Sequence, residues 1–285
     1  MQGYIDLTSN ENISSRLVAR YATPRGFKAW ASFKRQGIPN TYLVDKICNT
    51  CNYNKISNLV SLGPGDAITD YLIAKRCSCC KNYIAVDYSD EVINNTIITM
   101  KELDVNIAGV RADFEIQIEK LFKHLRNVAT EGPIALTLLG NTIGNFTNEV
   151  SWLTKLKSVL FRDDRFFVEI STKRPGWNVG RDWRGNINTY PKELIKLYSC
   201  DDANITNASE ATKYYSSEII KGLICKSDRF VVRNKVSMEA LSVVTRYDLS
   251  IFADYIHSEL GFSVLSITEN KYNEYIGRAL LEIKV

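Results

Sequence analysis

"NLVSLGPGDAITDYLIAKRCSCCKNYIAVD", residues 58–87, decides the fold. Two short apolar runs, NLVSL (58–62) and YIAVD (83–87), bracket a helix-like run, AITDYLIAKR. A Gly-Pro-Gly turn leads from the first run into the helix. Strand, helix and strand within about 30 residues form a βαβ unit, which joins parallel neighbours in one sheet.

The same rhythm continues outward. Further strand-like runs are NIAGVRAD (106–113), PIALTLL (133–139) and RFFVEIS (165–171). Between them lie the helix-like DEVINNTIITMKEL, EIQIEKLFKHLRNVA and NEVSWLTKLKSVL. The strands are apolar throughout rather than alternating, as expected when helices cover both faces of a sheet. The reading is an α/β fold with a mostly parallel sheet. Residues 1–56 read as an N-terminal helical segment, and residues 57–285 as the main domain. Within it, about 174–227 break the rhythm and read as an inserted cap. The remaining runs, DRFVVRNKVS, ALSVVTRYDL, FSVLSITE and RALLEIKV, read as closing antiparallel strands around one last helix at IFADYIHSEL.

Composition excludes some function classes. The 285 residues are 45% hydrophobic and carry 36 basic against 32 acidic side chains, a net charge of +4. That balance does not argue for nucleic acid, which calls for a clustered basic face. The densest basic region, Lys173 to Arg184, holds Trp177 and Trp183 and reads first as a solvated loop. A nucleic-acid or protein partner there stays open, as does the oligomeric state. No run approaches the roughly 18 apolar residues of a membrane span. The N-terminus lacks the basic-then-apolar layout of a signal peptide, so no membrane association and a cytoplasmic location are expected. The two histidines, His124 and His257, fall in helix-like runs among charged residues and read as solvent-facing.

In an open α/β sheet, ligands bind beyond the carboxyl ends of the strands. The first such end is Gly63-Pro64-Gly65, where backbone can approach a ligand closely. The second is Asp87, about 20 residues on, whose two oxygens can accept from both hydroxyls of a ribose. The third is Asp113 followed by Phe114, an acceptor for an adenine amino group beside an aromatic ring. Together they point to an adenosine-type ligand. Ile68 stands where a dinucleotide fingerprint needs its third glycine, and no phosphate-binding G-x-x-x-x-G-K-[ST] is present. An adenosine ligand without phosphates points to S-adenosylmethionine. The fourth strand end, "LLGNTIGNF" (138–146), sets two glycines and two asparagines around a Thr-Ile pair.

In order, "LGPG", "VDYS", "RADF", "LLGNTIGNF" and "FFVEISTKR" resemble the histidine-specific, S-adenosylmethionine-dependent methyltransferase family. This is the family of the ergothioneine-pathway histidine N-α-methyltransferases, and fungal relatives methylate a prenylated tryptophan amine. The resemblance runs from about Pro39 to the C-terminus. It implies a Rossmann-like class I methyltransferase fold and N-methylation of an amine. It implies that Asn145, the last Asn of the G-N-T-I-G-N turn, contacts that amine, and that Tyr42 lines the active site. Two departures stand out. The family's Lys after the G-x-G is replaced by Thr69. The acid and Ser with which the histidine enzymes face the imidazole align by eye with Ser242 and Val244. A shift of two residues brings Glu239 into play. Without the acid, the expected substrate is an amine other than histidine, on a small molecule. Two alternatives stay open: methylation of a peptide, protein or RNA, and a non-catalytic module that binds the cofactor.

Five of the seven cysteines lie in "CNTC" (48–51) and "CSCC" (77–80). Cys48/Cys51 and Cys77/Cys80 give C-x-x-C twice, and the topology brings both pairs to one sheet edge, away from the strand ends. Four thiolates there could hold a structural zinc ion. Reduced cytosolic thiols are the other reading.

Overall fold

The computed structural model describes residues 3–8, 26–28, 41–128, 132–178, 208–224, 226–271 and 276–285. The alternating run forms as read. Strands β2 (Asn58–Leu62), β3 (Asn82–Asp87), β4 (Asn106–Arg111), β5 (Ile134–Leu138) and β6 (Arg165–Lys173) pair in parallel, in the order β4-β3-β2-β5-β6. Helices α1 (Thr41–Asn54), α2 (Ile68–Arg76), α3 (Asp90–Met100), α4 (Ile118–Val128) and α5 (Glu149–Val159) precede or connect them. Two of these five helix starts are capped by side chains, since first-turn amides have no intrahelical partner. Ser89 accepts from Val92 N–H before α3, and Asn148 accepts from Ser151 N–H before α5.

Both faces of the sheet are covered. Val60, Leu62, Ile84, Val86 and Val110 belong to one apolar cluster with Trp152 and Phe166. Leu59, Tyr83, Ala85 and Ile107 belong to the other, with Val44 and Ile47 of α1. The two-residue alternation of strand side chains sends neighbours to opposite clusters, which is why every second residue cannot be polar.

The ends of the chain depart from the sequence expectation in two places. Residues Gly3–Asp6 form a strand, β1, that pairs in parallel with β4 at the sheet edge, where a helical or irregular segment is expected. The four residues lack any repeat from which a pattern could be read. The closing strands also divide. Strands β10 (Ser263–Lys271) and β11 (Ile276–Lys284) complete the main sheet, β11 antiparallel to β6 and β10 antiparallel to β11 at the edge, with α7 (Leu249–Ser258) before them. Strands β8 (Asp228–Asn234) and β9 (Ala240–Arg246) join β7 (Tyr215–Lys221) in a separate three-stranded sheet, preceded by a short helix α6 (Ala208–Tyr214). Much of the expected cap, and the helical spacing expected near residues 14–22, lie outside the described residues.

The described cysteines do not support the zinc expectation. Both clusters do meet in the apolar layer of α1 and α2, where Cys77 Sγ lies 3.6 Å from Asn52 Oδ1. The thiols are spent elsewhere. Cys48 donates to Ile73 O, Cys79 to Ile56 O at 3.0 Å and Cys80 to Asn82 O. Burial pushes the Cys48 and Cys80 thiols up to about 12, which keeps them protonated. Among the described residues no group of three or more His, Cys, Asp or Glu side chains is arranged to hold a metal ion. Cys48, Cys51, Cys77 and Cys80 are buried in that apolar layer, and a hydrogen bond from Cys51 holds Cys77 below the usual thiol range, at about 6. Among those residues, too, no helix is long and apolar enough to cross a membrane.

Candidate active site

The carboxyl ends of β2 to β5 converge on one cavity. At the end of β2, Gly63 and Gly65 both take positive φ, 70° and 62°. A Cβ on Gly63 would sit 3.5 Å from the Phe114 ring, so the bare backbone keeps the floor open. At the end of β3, Ser89 N–H donates to Asp87 Oδ1 at 2.8 Å. Burial pushes the Asp87 carboxyl up to about 7, against those backbone donors. At the end of β4, Glu115 N–H donates to Asp113 Oδ1 at 3.1 Å. Asp113 N–H is held by Gln117, which also donates to Leu7 O beyond β1. Phe114 stands 6.1 Å from Phe146, which packs edge-on against buried Trp152.

After β5 the G-N-T-I-G-N turn closes as a 3-10 turn, Thr142–Asn145. Its two asparagines do different work. Asn141, at φ 63°, is buried. It accepts from Ser171 N–H at 2.7 Å and donates to Thr245 O, which ties the turn to β6 and β9. Its carboxamide fills the space a Cβ on Gly144 would need, at 2.5 Å. That contact explains the second glycine. Asn145 is exposed and lines the cavity.

The structure therefore brings Gly63, Gly65, Asp87, Asp113, Phe114 and Asn145 to one cavity wall. Tyr42 is not among its lining residues. It packs at the sheet's other apolar cluster, and burial followed by the Glu169 carboxylate raises its phenol well above the usual range. Its hydroxyl is buried and has no hydrogen-bond partner among the described residues. Thr69 sits half-buried in the first turn of α2 and does not line the cavity. Ser242 and Val244 lie on one face of β9, and Thr245, which donates to Gly144 O, lies on the other. Neither lines the cavity, and Glu239 is exposed in the turn before β9. Residues that sequence reasoning passed over include Phe27, Tyr88, Val92 and Thr142. Tyr88 and Thr142 adjoin motifs already singled out, whereas Phe27 carries no local signal.

Chemically, the cavity offers carboxylates to hydroxyl or amino donors, aromatic faces to a planar base or a cation, and no basic side chain on its described lining. A glycine cradle, an acid after β3 and an acid-aromatic pair after β4 fit the adenosyl part of S-adenosylmethionine, and the acidic, aromatic lining suits its sulfonium charge.

Comparison with known proteins agrees. The sequence model of the family described as "Histidine-specific methyltransferase, SAM-dependent" matches residues 43–176. No curated protein matches the chain. Among solved structures, a putative methyltransferase from Thermobifida fusca shares 11% identity at a TM-score of 0.51, covering 95% of each chain. Magnesium protoporphyrin IX methyltransferase from Synechocystis, with bound S-adenosylmethionine, shares 10% identity at a TM-score of 0.49, covering 97% of this chain and 100% of that one. The fold is that of a class I methyltransferase, and residues 43–176 are similar to the histidine-specific, S-adenosylmethionine-dependent methyltransferase family.

Proposed function

We propose that the protein N-methylates an amine of a small molecule other than free histidine, with Asn145 holding that amine. One observation carries the reading. An uncharged carboxamide is exposed on the same cavity wall as the glycine cradle and both strand-end carboxylates. Gly63 and Gly65 would leave room for the cofactor, Asp87 would accept from its ribose, and Asp113 with Phe114 would hold its base. Bound there, S-adenosylmethionine supplies an electrophilic methyl group. The Asn145 side-chain oxygen accepts an N–H of the amine and so aims the nitrogen lone pair. Orientation is a large part of the catalysis of a direct displacement.

The departure from histidine rests on β9. Its sequence, ALSVVTR, carries no acid to receive an imidazole N–H, and its one hydroxyl facing the turn is committed to Gly144 O. The test is transfer of a deuterated methyl from labelled cofactor into a native cell extract, with small molecules and macromolecules separated before mass spectrometry. Label on a small amine, lost in Asn145→Ala, supports the reading. Label on free histidine, on protein or on RNA overturns the substrate assignment.

A further inference from the structure

The turn that carries Asn145 is gripped from behind by a buried ion pair. Arg229 of β8 is 7% exposed, and Glu149, the first residue of α5, is fully buried. Arg229 Nη2 donates to Glu149 Oε2. Its Nη1 donates to Thr147 O at 3.1 Å, and its Nε to Thr245 Oγ1 at 3.2 Å. Thr245 passes the contact on, donating to Gly144 O at 2.9 Å. The two carbonyls held in this way lie on either side of Asn145 and Phe146. None of the three side chains lines the cofactor cavity.

Burying a guanidinium and a carboxylate gains little stability, because desolvation offsets most of the attraction. What the planar guanidinium does supply is geometry. Its three nitrogens, fixed in one plane, reach a strand hydroxyl, a helix-start carboxylate and a turn carbonyl at once, a rigid spread that a single ammonium nitrogen does not provide. The three-stranded sheet is thereby coupled to residues 144–147 and not to the cofactor. We infer that Arg229, with Glu149 and Thr245, is a positioning residue for methyl transfer, fixing the turn so that the Asn145 carboxamide points into the cavity. The inference rests on the reading of Asn145 as the group that holds the amine.

Three variants test it: Arg229→Met, Thr245→Val and the conservative Thr245→Ser. Cofactor affinity by calorimetry should stay within about twofold of wild type, since the cofactor wall is untouched. Labelled-methyl transfer into the small-molecule fraction of a cell extract, counted per cofactor-binding site, should fall about 100-fold in Arg229→Met, the scale of an ångström-sized misplacement. It should fall about tenfold in Thr245→Val, for one buried acceptor left unpaired, and recover in Thr245→Ser. Amide exchange in a peptide covering residues 139–148 should quicken by about tenfold or more in both deficient variants, with β2 to β4 unchanged. A role in stability alone would lower the melting temperature and leave transfer per site intact, and that result overturns the inference. Unchanged exchange in that peptide overturns it as well. If Arg229→Met does not fold, the Thr245 pair decides. A fully active Asn145→Ala would instead sink the reading of Asn145, and the exchange result would still report whether Arg229 holds the turn.

Discussion

Cofactor binding should depend on pH through Asp87. Burial holds this carboxyl near pKa 7 in the free protein, far above its ordinary 3.8. Two ribose hydroxyls donate only to the ionised form, so the complex binds one proton fewer than the free protein below that pKa. The sign is then fixed: affinity rises with pH. Between about pH 5 and pH 7 it should rise about tenfold per unit, which is about 1.4 kcal/mol per unit, and level off above. Stability of the cofactor-free protein runs the other way. Its raised carboxyl favours the folded state at low pH, and that contribution is lost as pH climbs from the unfolded value through about 7. Asp87→Asn should therefore raise the melting temperature of the free protein at pH 8 while weakening cofactor binding and flattening its pH dependence. Calorimetry at half-unit steps is the assay. A flat affinity profile from pH 5 to 8 in the wild-type protein, or full affinity in Asp87→Asn, would refute the reasoning.

Four other outcomes follow from the same structure. Asn145→Ala should lower methyl transfer by about 100-fold with cofactor affinity within about twofold, measured by single-turnover transfer and calorimetry. Asn141→Ala strands the Ser171 N–H and the Thr245 carbonyl and should destabilise by about 2–4 kcal/mol in urea unfolding. Trp152→Ala empties a buried site whose indole donates to Phe114 O at 2.7 Å, and should cost about 3–5 kcal/mol. Metal analysis of the purified protein should find no stoichiometric zinc, and a chelator should leave its melting curve unmoved.

Much of this was legible because parallel strands buried on both faces leave a continuous apolar run that few other elements produce. The glycine cradle, Asp87 and the Asp113-Phe114 pair follow from that register, since the ligand side of such a sheet is known once the strands are. What resisted reading depends on contacts distant in sequence. β1 is too short to carry a period, and its partner β4 lies a hundred residues on. The three-stranded sheet has the same local pattern as closing strands of the main sheet, and only its tertiary pairing sets it apart. Topology brought the cysteine clusters together, yet topology says nothing of where a thiol points, and Cys48, Cys79 and Cys80 point at backbone carbonyls. The division of labour between Asn141 and Asn145 was likewise hidden, because it turns on which carboxamide is buried.

The most direct test of the account is a crystal structure of the protein with S-adenosylhomocysteine and the acceptor found by labelling. The account predicts the ribose on Asp87, the base beside Asp113 and Phe114, and the acceptor nitrogen within hydrogen-bond distance of Asn145. A ligand bound away from the ends of β2 to β5, or an acceptor nitrogen that does not reach Asn145, would contradict it.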